Sequence, residues 1–358
     1  MQAAVYRGHQ TLCIEEVEVP RIESEEILVR VEACGVCPTD IKKIHYDTVA
    51  PPRVFGHETA GTIVATGSRV RGFEVGERVG LHHHVPCMDC HYCRHRAFAQ
   101  CATYRRTGIT AGFEPAGGGF AEYVRVMPFC LAGVVRIPAG NSFLEGALLE
   151  PVNTVLKGVR QLSLLPRDIV LVYGQGPIGL LFTHLLALEG MRVIAIDLLD
   201  NRLQLARKLG AWQVLHGTDA ALPSEVDRWT EGQGADAAVV AVPSDSAVVQ
   251  AQSVIRGGGK VLLFAHTVRD RLTSLDLARV CVDEKGLLGS YSSDFTLQEE
   301  VARLVFSRRL DVRSLVTHTF PLSRTAEAVA LAAKPTPESL KVVVVPESGR
   351  TVQTTGEN

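Results

Sequence analysis

The stretch "VLVYGQGPIGLL", residues 170–181, decides the fold. It carries Gly174, Gly176 and Gly179 in the pattern G-x-G-x-x-G. Alone that pattern is weak, so its surroundings matter. A strand-like run, "DIVLVYG", leads into it, and an apolar helical stretch, "PIGLLFTHLLALEG", follows. A second strand, "RVIAID", ends at Asp197, twenty-three residues after Gly174. This is the context of a dinucleotide-binding βαβ unit. Gly174 makes the tight turn, Gly176 lets the backbone approach a pyrophosphate, and Gly179 lets the helix lie close to the sheet. Gly176, Pro177 and Ile178 open the helix whose N-terminus receives the phosphates. Asp197 can accept hydrogen bonds from a ribose hydroxyl and repels a 2′-phosphate. The next arginine is Arg202, so NAD is expected rather than NADP.

Outward from this unit, strand and helix signals alternate from about 153 to 292, through "DNRLQLARKLGA", "ADAAVVAV" and "GGKVLLFA". Alternation of this kind predicts a parallel, doubly wound sheet with helices on both faces. Residues 1–152 differ. Short apolar runs such as "EEILVRVEACGVC" and "ERVGLHHHV" are broken by turn signals, which predicts an irregular, mostly β domain. "FTLQEEVARLVFSRRL" (295–310) reads as an amphipathic helix and "LKVVVVP" (340–346) as a strand that returns to the first domain. The expected division is 1–152 with 293–345, 153–292, and a loose polar tail over 346–358.

The chain has 358 residues, with 37 Lys+Arg against 39 Asp+Glu. That balance leaves no basic footprint for nucleic acid or an anionic membrane. No apolar run is long enough to span a bilayer, and "MQAAVYRGHQ" does not read as a signal peptide. A cytoplasmic protein is expected. Four of the nine cysteines, Cys87, Cys90, Cys93 and Cys101, form C-x2-C-x2-C-x7-C. Thiolates at such gaps wrap one zinc ion, and four of them leave no open position, so the site is structural. Cys13, Cys34, Cys130 and Cys281 read as ordinary thiols. Cys37, taken alone, is either a buried thiol or a ligand.

With "GHETAGTIVATG", Gly56 to Gly67, in the signature G-H-E-x2-G-x5-G, the chain resembles the zinc-containing medium-chain dehydrogenases from residue 1 to about 345. The sorbitol and threonine dehydrogenase branch is nearest. The resemblance implies a GroES-like catalytic domain beside the Rossmann domain. It also implies two zinc ions per chain, one structural and one catalytic. Cys37, followed two residues later by Thr39, and His57 of the signature match two ligands of the catalytic zinc. Glu150 of "ALLEPVNT" matches the third in the polyol branch. Glu58 resembles the glutamate in or just behind the coordination sphere. Three ligands with an open position is the catalytic pattern.

The open position would take a substrate hydroxyl, and Thr39 would accept its proton. Many relatives have a histidine five residues after the ligand cysteine; this chain has Lys42 there, and the nearest histidine is His45. In "LHHHVPC" at most two of His82, His83 and His84 would share a pocket if the segment is a strand. His84 matches a histidine of threonine dehydrogenases, and it reads either as lining the substrate site or as packed. The implied reaction is hydride transfer between a small secondary alcohol, a polyol or amino alcohol, and NAD. The alternatives are an NADPH-dependent aldehyde or ketone reductase and a non-catalytic dinucleotide-binding protein. A homotetramer, else a dimer paired through the edge run "EKGLLGSYSS" (284–293), is expected.

Overall fold

The structure, a computed structural model, describes residues 1–114, 117–266 and 272–347. The polar tail read as loose lies outside the described residues from 348 onward. The fold combines a GroES-like domain with a dinucleotide-binding one. In the second, six parallel strands line up in the order Gln213–His216, Arg192–Asp197, Ile169–Tyr173, Ala235–Val240, Ile255–Leu263, Gly286–Gly289. The order turns back beside Ile169–Tyr173, and the loop after that strand is the glycine-rich turn. Crevices of this kind, beyond the carboxyl ends of parallel strands, are where such folds bind ligands.

The central strands are apolar on both faces because helices cover both sides. Val170 and Val172 face one buried cluster and Leu171 and Tyr173 the other. The first cluster takes in Leu149, Val152 and Leu156 of the helix Leu149–Leu162 and Val301 and Val305 of the helix Gln298–Phe306. The amphipathic reading of 295–310 is therefore met over Gln298–Phe306, which buries one face.

Of the two further sheets, the larger, eight-stranded one is mainly antiparallel. Ile27–Gly35 pairs with Glu58–Thr66, which pairs with Arg78–Leu81. The late strand Lys341–Val345 lies antiparallel to Ile27–Gly35 through Val343 and Val344. Lys341 is thereby brought beside the start of Glu58–Thr66. Among the described residues no helix is long and apolar enough to cross a membrane.

Candidate active site and zinc lobe

A cavity of about 480 Å³ lies between the two sheets, lined by residues of both. Cys37 is the N-cap of the helix Pro38–His45, whose first position is proline, a residue suited to a helix start. That helix sends Thr39, Lys42 and Lys43 to the cavity wall, while Asp40 is turned inward and fully buried. His57 enters from the opposite side, and its Nδ1 lies 3.0 Å from the Asp40 carboxylate. A carboxylate on one ring nitrogen fixes the imidazole and leaves the other free for a metal. Burial opposes a charge on His57, but Asp40 and Cys37 more than offset it and hold its pKa well above the usual value.

Glu150 stands in the first turn of Leu149–Leu162 and faces the same cavity. Burial pushes its pKa up to about 7; the His57 charge opposes this and Glu58 adds to it. A thiol, an oriented imidazole and a buried carboxyl short of positive charge are a donor set that fits zinc. The three are not drawn into a tight cluster: among the described residues only Cys87, Cys90, Cys93 and Cys101 have all ligand atoms within 4.8 Å of one another.

Glu58, next to His57, is almost completely buried and forms an ion pair with Lys341, itself buried. The Lys341 Nζ also donates to the Val36 carbonyl at 3.0 Å. Glu58 is thus held from behind by a cation that came in with the late strand. Neither Asp40 nor Lys341 was singled out in the sequence. Asp40 had a local signal, lying three residues after Cys37 at the inward position of a short helix. Lys341 had none, being 283 residues from Glu58.

The histidine run departs from its expected shape. The strand stops at Leu81, so residues 82–84 do not alternate. His83 and His84, adjacent in sequence, both line the cavity. His82 points inward, to Gln298 at 3.1 Å and Ser293 at 3.3 Å. His84 donates through Nδ1–H to the Arg106 carbonyl at 3.2 Å and stacks on Tyr104 at 4.9 Å. His45 is exposed and lies off the cavity wall.

The cysteine lobe is self-contained. Sulfur separations are 3.9 Å for Cys87–Cys93, 3.6 Å for Cys90–Cys93 and 3.7 Å for Cys87–Cys101. Zinc–sulfur bonds of ~2.3 Å in a tetrahedron require about 3.8 Å, so the four thiols fit one zinc. The Cys90 N–H points at the Cys87 sulfur and the Cys87 N–H at that of Cys101. Tyr104 ties the lobe to the rest, donating to the Ser293 carbonyl at 2.9 Å.

The cofactor side is equally specific. Gly174 has φ +87°, and a Cβ there would strike Val242. A Cβ on Gly179 would come within 1.6 Å of the Gly174 carbonyl, so the helix Pro177–Leu188 packs against the turn only with glycine there. A Cβ on Gly176 would meet nothing, since that residue faces open cavity at the helix N-terminus. This is a cradle for phosphate. Gly176, Pro177, Ile178, Asp197 and Arg202 all line it. The Asp197 carboxylate accepts from Gln175 N at 2.5 Å and Leu199 N at 2.9 Å. Arg202 approaches the Ser339 carbonyl at 3.5 Å, and its buried Nε has no partner.

Comparison with known proteins agrees with this geometry. Residues 23–139 match the alcohol dehydrogenase GroES-like domain and residues 177–307 the zinc-binding dehydrogenase family. The chain is 29% identical over 355 residues to sorbitol dehydrogenase of Bacillus subtilis (strain 168), covering 97% of each. It is 29% identical over 352 residues to D-arabinitol dehydrogenase 1 of Uromyces fabae, again covering 97% of each. A zinc-binding dehydrogenase of Sinorhizobium meliloti 1021 bound to NADP superposes with a TM-score of 0.87 at 25% identity, over 96% of this chain and 99% of that one. A glycine cradle facing a cavity walled by Cys37 and His57, in two domains that match these families in this order, is therefore no coincidence of motifs: the chain belongs to the zinc-type medium-chain dehydrogenases, alcohol-oxidising enzymes that work with zinc and a nicotinamide dinucleotide.

Proposed function

We propose that this enzyme oxidises a small secondary alcohol, a polyol or amino alcohol, with NAD, and reduces the matching ketone in reverse. One observation carries the reading: Cys37, Thr39, His57 and Glu150 share a single cavity with Gly176, Pro177, Ile178 and Asp197. Metal donors and cofactor cradle therefore address the same space. The sorbitol and arabinitol specificities of the two relatives support a polyol as substrate.

In this reading Cys37, His57 and Glu150 hold a catalytic zinc, and the four lobe cysteines hold a structural one. Zinc at the open site would supply a positive charge that lowers the pKa of the alcohol hydroxyl. Thr39, two residues after Cys37, accepts the hydroxyl proton and passes its own on toward solvent. A nicotinamide dinucleotide held at Gly176, Pro177 and Ile178 would take the hydride released, with its electron pair, from the carbinol carbon. The products are the ketone, NADH and one proton. His84 shapes the substrate side of the cavity. Glu58, neutralised by Lys341, adds a buried carboxylate behind the ligands rather than a resting ligand. Asp40 keeps the His57 ring in register.

Asp197 supports NAD, because its charge meets the position of a 2′-phosphate. A second reading, an NADPH-dependent aldehyde or ketone reductase, is favoured by the unpartnered Nε of Arg202 in the same wall and by the NADP-bound relative. We expect a cytoplasmic homotetramer, else a dimer, paired through the edge strand Gly286–Gly289. Near that edge Val282 and Tyr291 are exposed. The deciding experiment offers the zinc-loaded protein a panel of alcohols with NAD and with NADP. Reduction of NAD by secondary polyols is the expected result. Turnover with NADP alone establishes the second reading, and no turnover with any alcohol defeats both.

A further inference from the structure

The cavity wall carries more positive charge than the proposed chemistry uses. Its carboxylates are Glu58, Glu150 and Asp197. Glu58 is spent on Lys341, Asp197 is held by two backbone N–H groups beside Arg202, and Glu150 belongs to the metal site. Lys43 remains on the same wall. Lys43 forms no ion pair among the described residues.

The position of Lys43 is set by helix geometry. Thr39, Lys42 and Lys43 stand at i, i+3 and i+4 of Pro38–His45, so they share one face. That face is the one turned to the cavity. Lys43 lies a single turn beyond the residue that meets the substrate hydroxyl. The same cavity wall carries His83 and His84.

His83 makes a second, independent mark at the same spot. It is only 5% exposed, it lines the cavity, and its Nδ1 has no hydrogen-bond partner. A buried ring nitrogen without a partner is costly unless something else supplies one. The ring is flanked by His57 at 4.7 Å and His84 at 3.8 Å.

We infer that the substrate alcohol carries an anionic group, a carboxylate or a phosphate, bound by Lys43 with the His83 imidazole beside it, one helical turn from the hydroxyl at Thr39. The inference rests on the dehydrogenase reading and narrows its substrate class. Side chains one turn apart are separated by about 5–6 Å at Cβ, so the anionic group sits a few bonds from the carbinol carbon. Charge-assisted contacts of this kind are about twice as strong as neutral ones, so a neutral alcohol leaves both Lys43 and His83 unanswered.

The test uses matched pairs on the full-length, zinc-loaded protein: sorbitol with sorbitol 6-phosphate, and 1,3-butanediol with 3-hydroxybutanoate. Binding to the NADH complex is measured by calorimetry, and NAD reduction is followed in parallel. At least one anionic member is expected to bind tenfold or more tighter than its neutral partner; which pair responds separates phosphate from carboxylate. Lys43→Met should cut that ratio at least tenfold, and Lys43→Arg should keep most of it. Equal or weaker binding of both anions overturns the inference. So does a Lys43→Met variant whose loss appears in the affinity for NADH and not in the ratio, since Lys43 then serves the cofactor. Tight anion binding without turnover would sink the dehydrogenase reading and leave the anion site standing. Oxidation of neutral alcohols with no preference for an anion does the reverse.

Discussion

The two candidate metal regions of this chain are built in opposite ways. Cys87, Cys90, Cys93 and Cys101 come from fifteen consecutive residues, and their sulfurs already lie at zinc-bridging distances. Cys37, His57 and Glu150 come from a helix N-cap, the start of a strand and the first turn of a domain-linking helix. Their donor atoms share a cavity without closing on a point. The contrast follows from what each region must do. A closed site is a local staple whose ligands need only each other, and its binding energy is folding energy. The proposed open site must leave room for a substrate, so the fold supports it from outside, through Asp40 behind His57 and Lys341 behind the neighbouring Glu58.

That contrast can be broken experimentally. The largest effect belongs to Cys37→Ser, which should lower kcat by roughly 10³-fold or more, because the positive charge at the reaction centre goes with the zinc. A thermal melt should show far less change. Cys90→Ser should invert the pattern. The melting temperature should drop by roughly 10 °C as the lobe loses its ion, and turnover per folded molecule should fall much less than in Cys37→Ser. Should Cys90→Ser leave the melt unchanged and remove activity alone, the two regions have exchanged roles.

Asp40→Asn sharpens the comparison further, since it touches the open site through its support alone. The amide keeps the shape but loses the charge that orients His57. Zinc affinity at that site, read by competition with a chelator, should fall by about 10–100-fold, while the cysteine lobe keeps its ion. The smallest effect is expected at the cofactor. Asp197→Ala should shift the ratio of kcat/KM for NAD to that for NADP by roughly tenfold toward NADP, of the order of ~1.4 kcal/mol. Unchanged selectivity would mean that Arg202, not Asp197, reads the ribose.

What was legible in the sequence follows the same division. Features encoded by short spacing could be read: the four cysteines, the glycine turn with Asp197 at the end of the next strand, and the strand–helix alternation that makes the parallel sheet. Residues whose role depends on contacts distant in sequence could not. Lys341 opens an apolar strand like any other, and only the pairing of that strand with Ile27–Gly35 brings it to Glu58. Tyr104 looks like an ordinary lobe residue until its hydroxyl meets Ser293, 189 positions away. The histidine run was legible only in part. Two of its three rings, His83 and His84, share the cavity, within the limit of two, but pairing ends at Leu81, and without it nothing forces adjacent side chains to opposite faces.

The central claim is that one chain carries a closed and an open zinc site with separate ligands. Native mass spectrometry of the zinc-loaded wild type and of Cys37→Ser tests it most directly. The account predicts two zinc ions per chain in the wild type and one in Cys37→Ser, the remaining ion being lost only when Cys90 is also replaced. A wild-type chain that holds a single zinc under saturating metal, or a Cys37→Ser chain that keeps both, contradicts it.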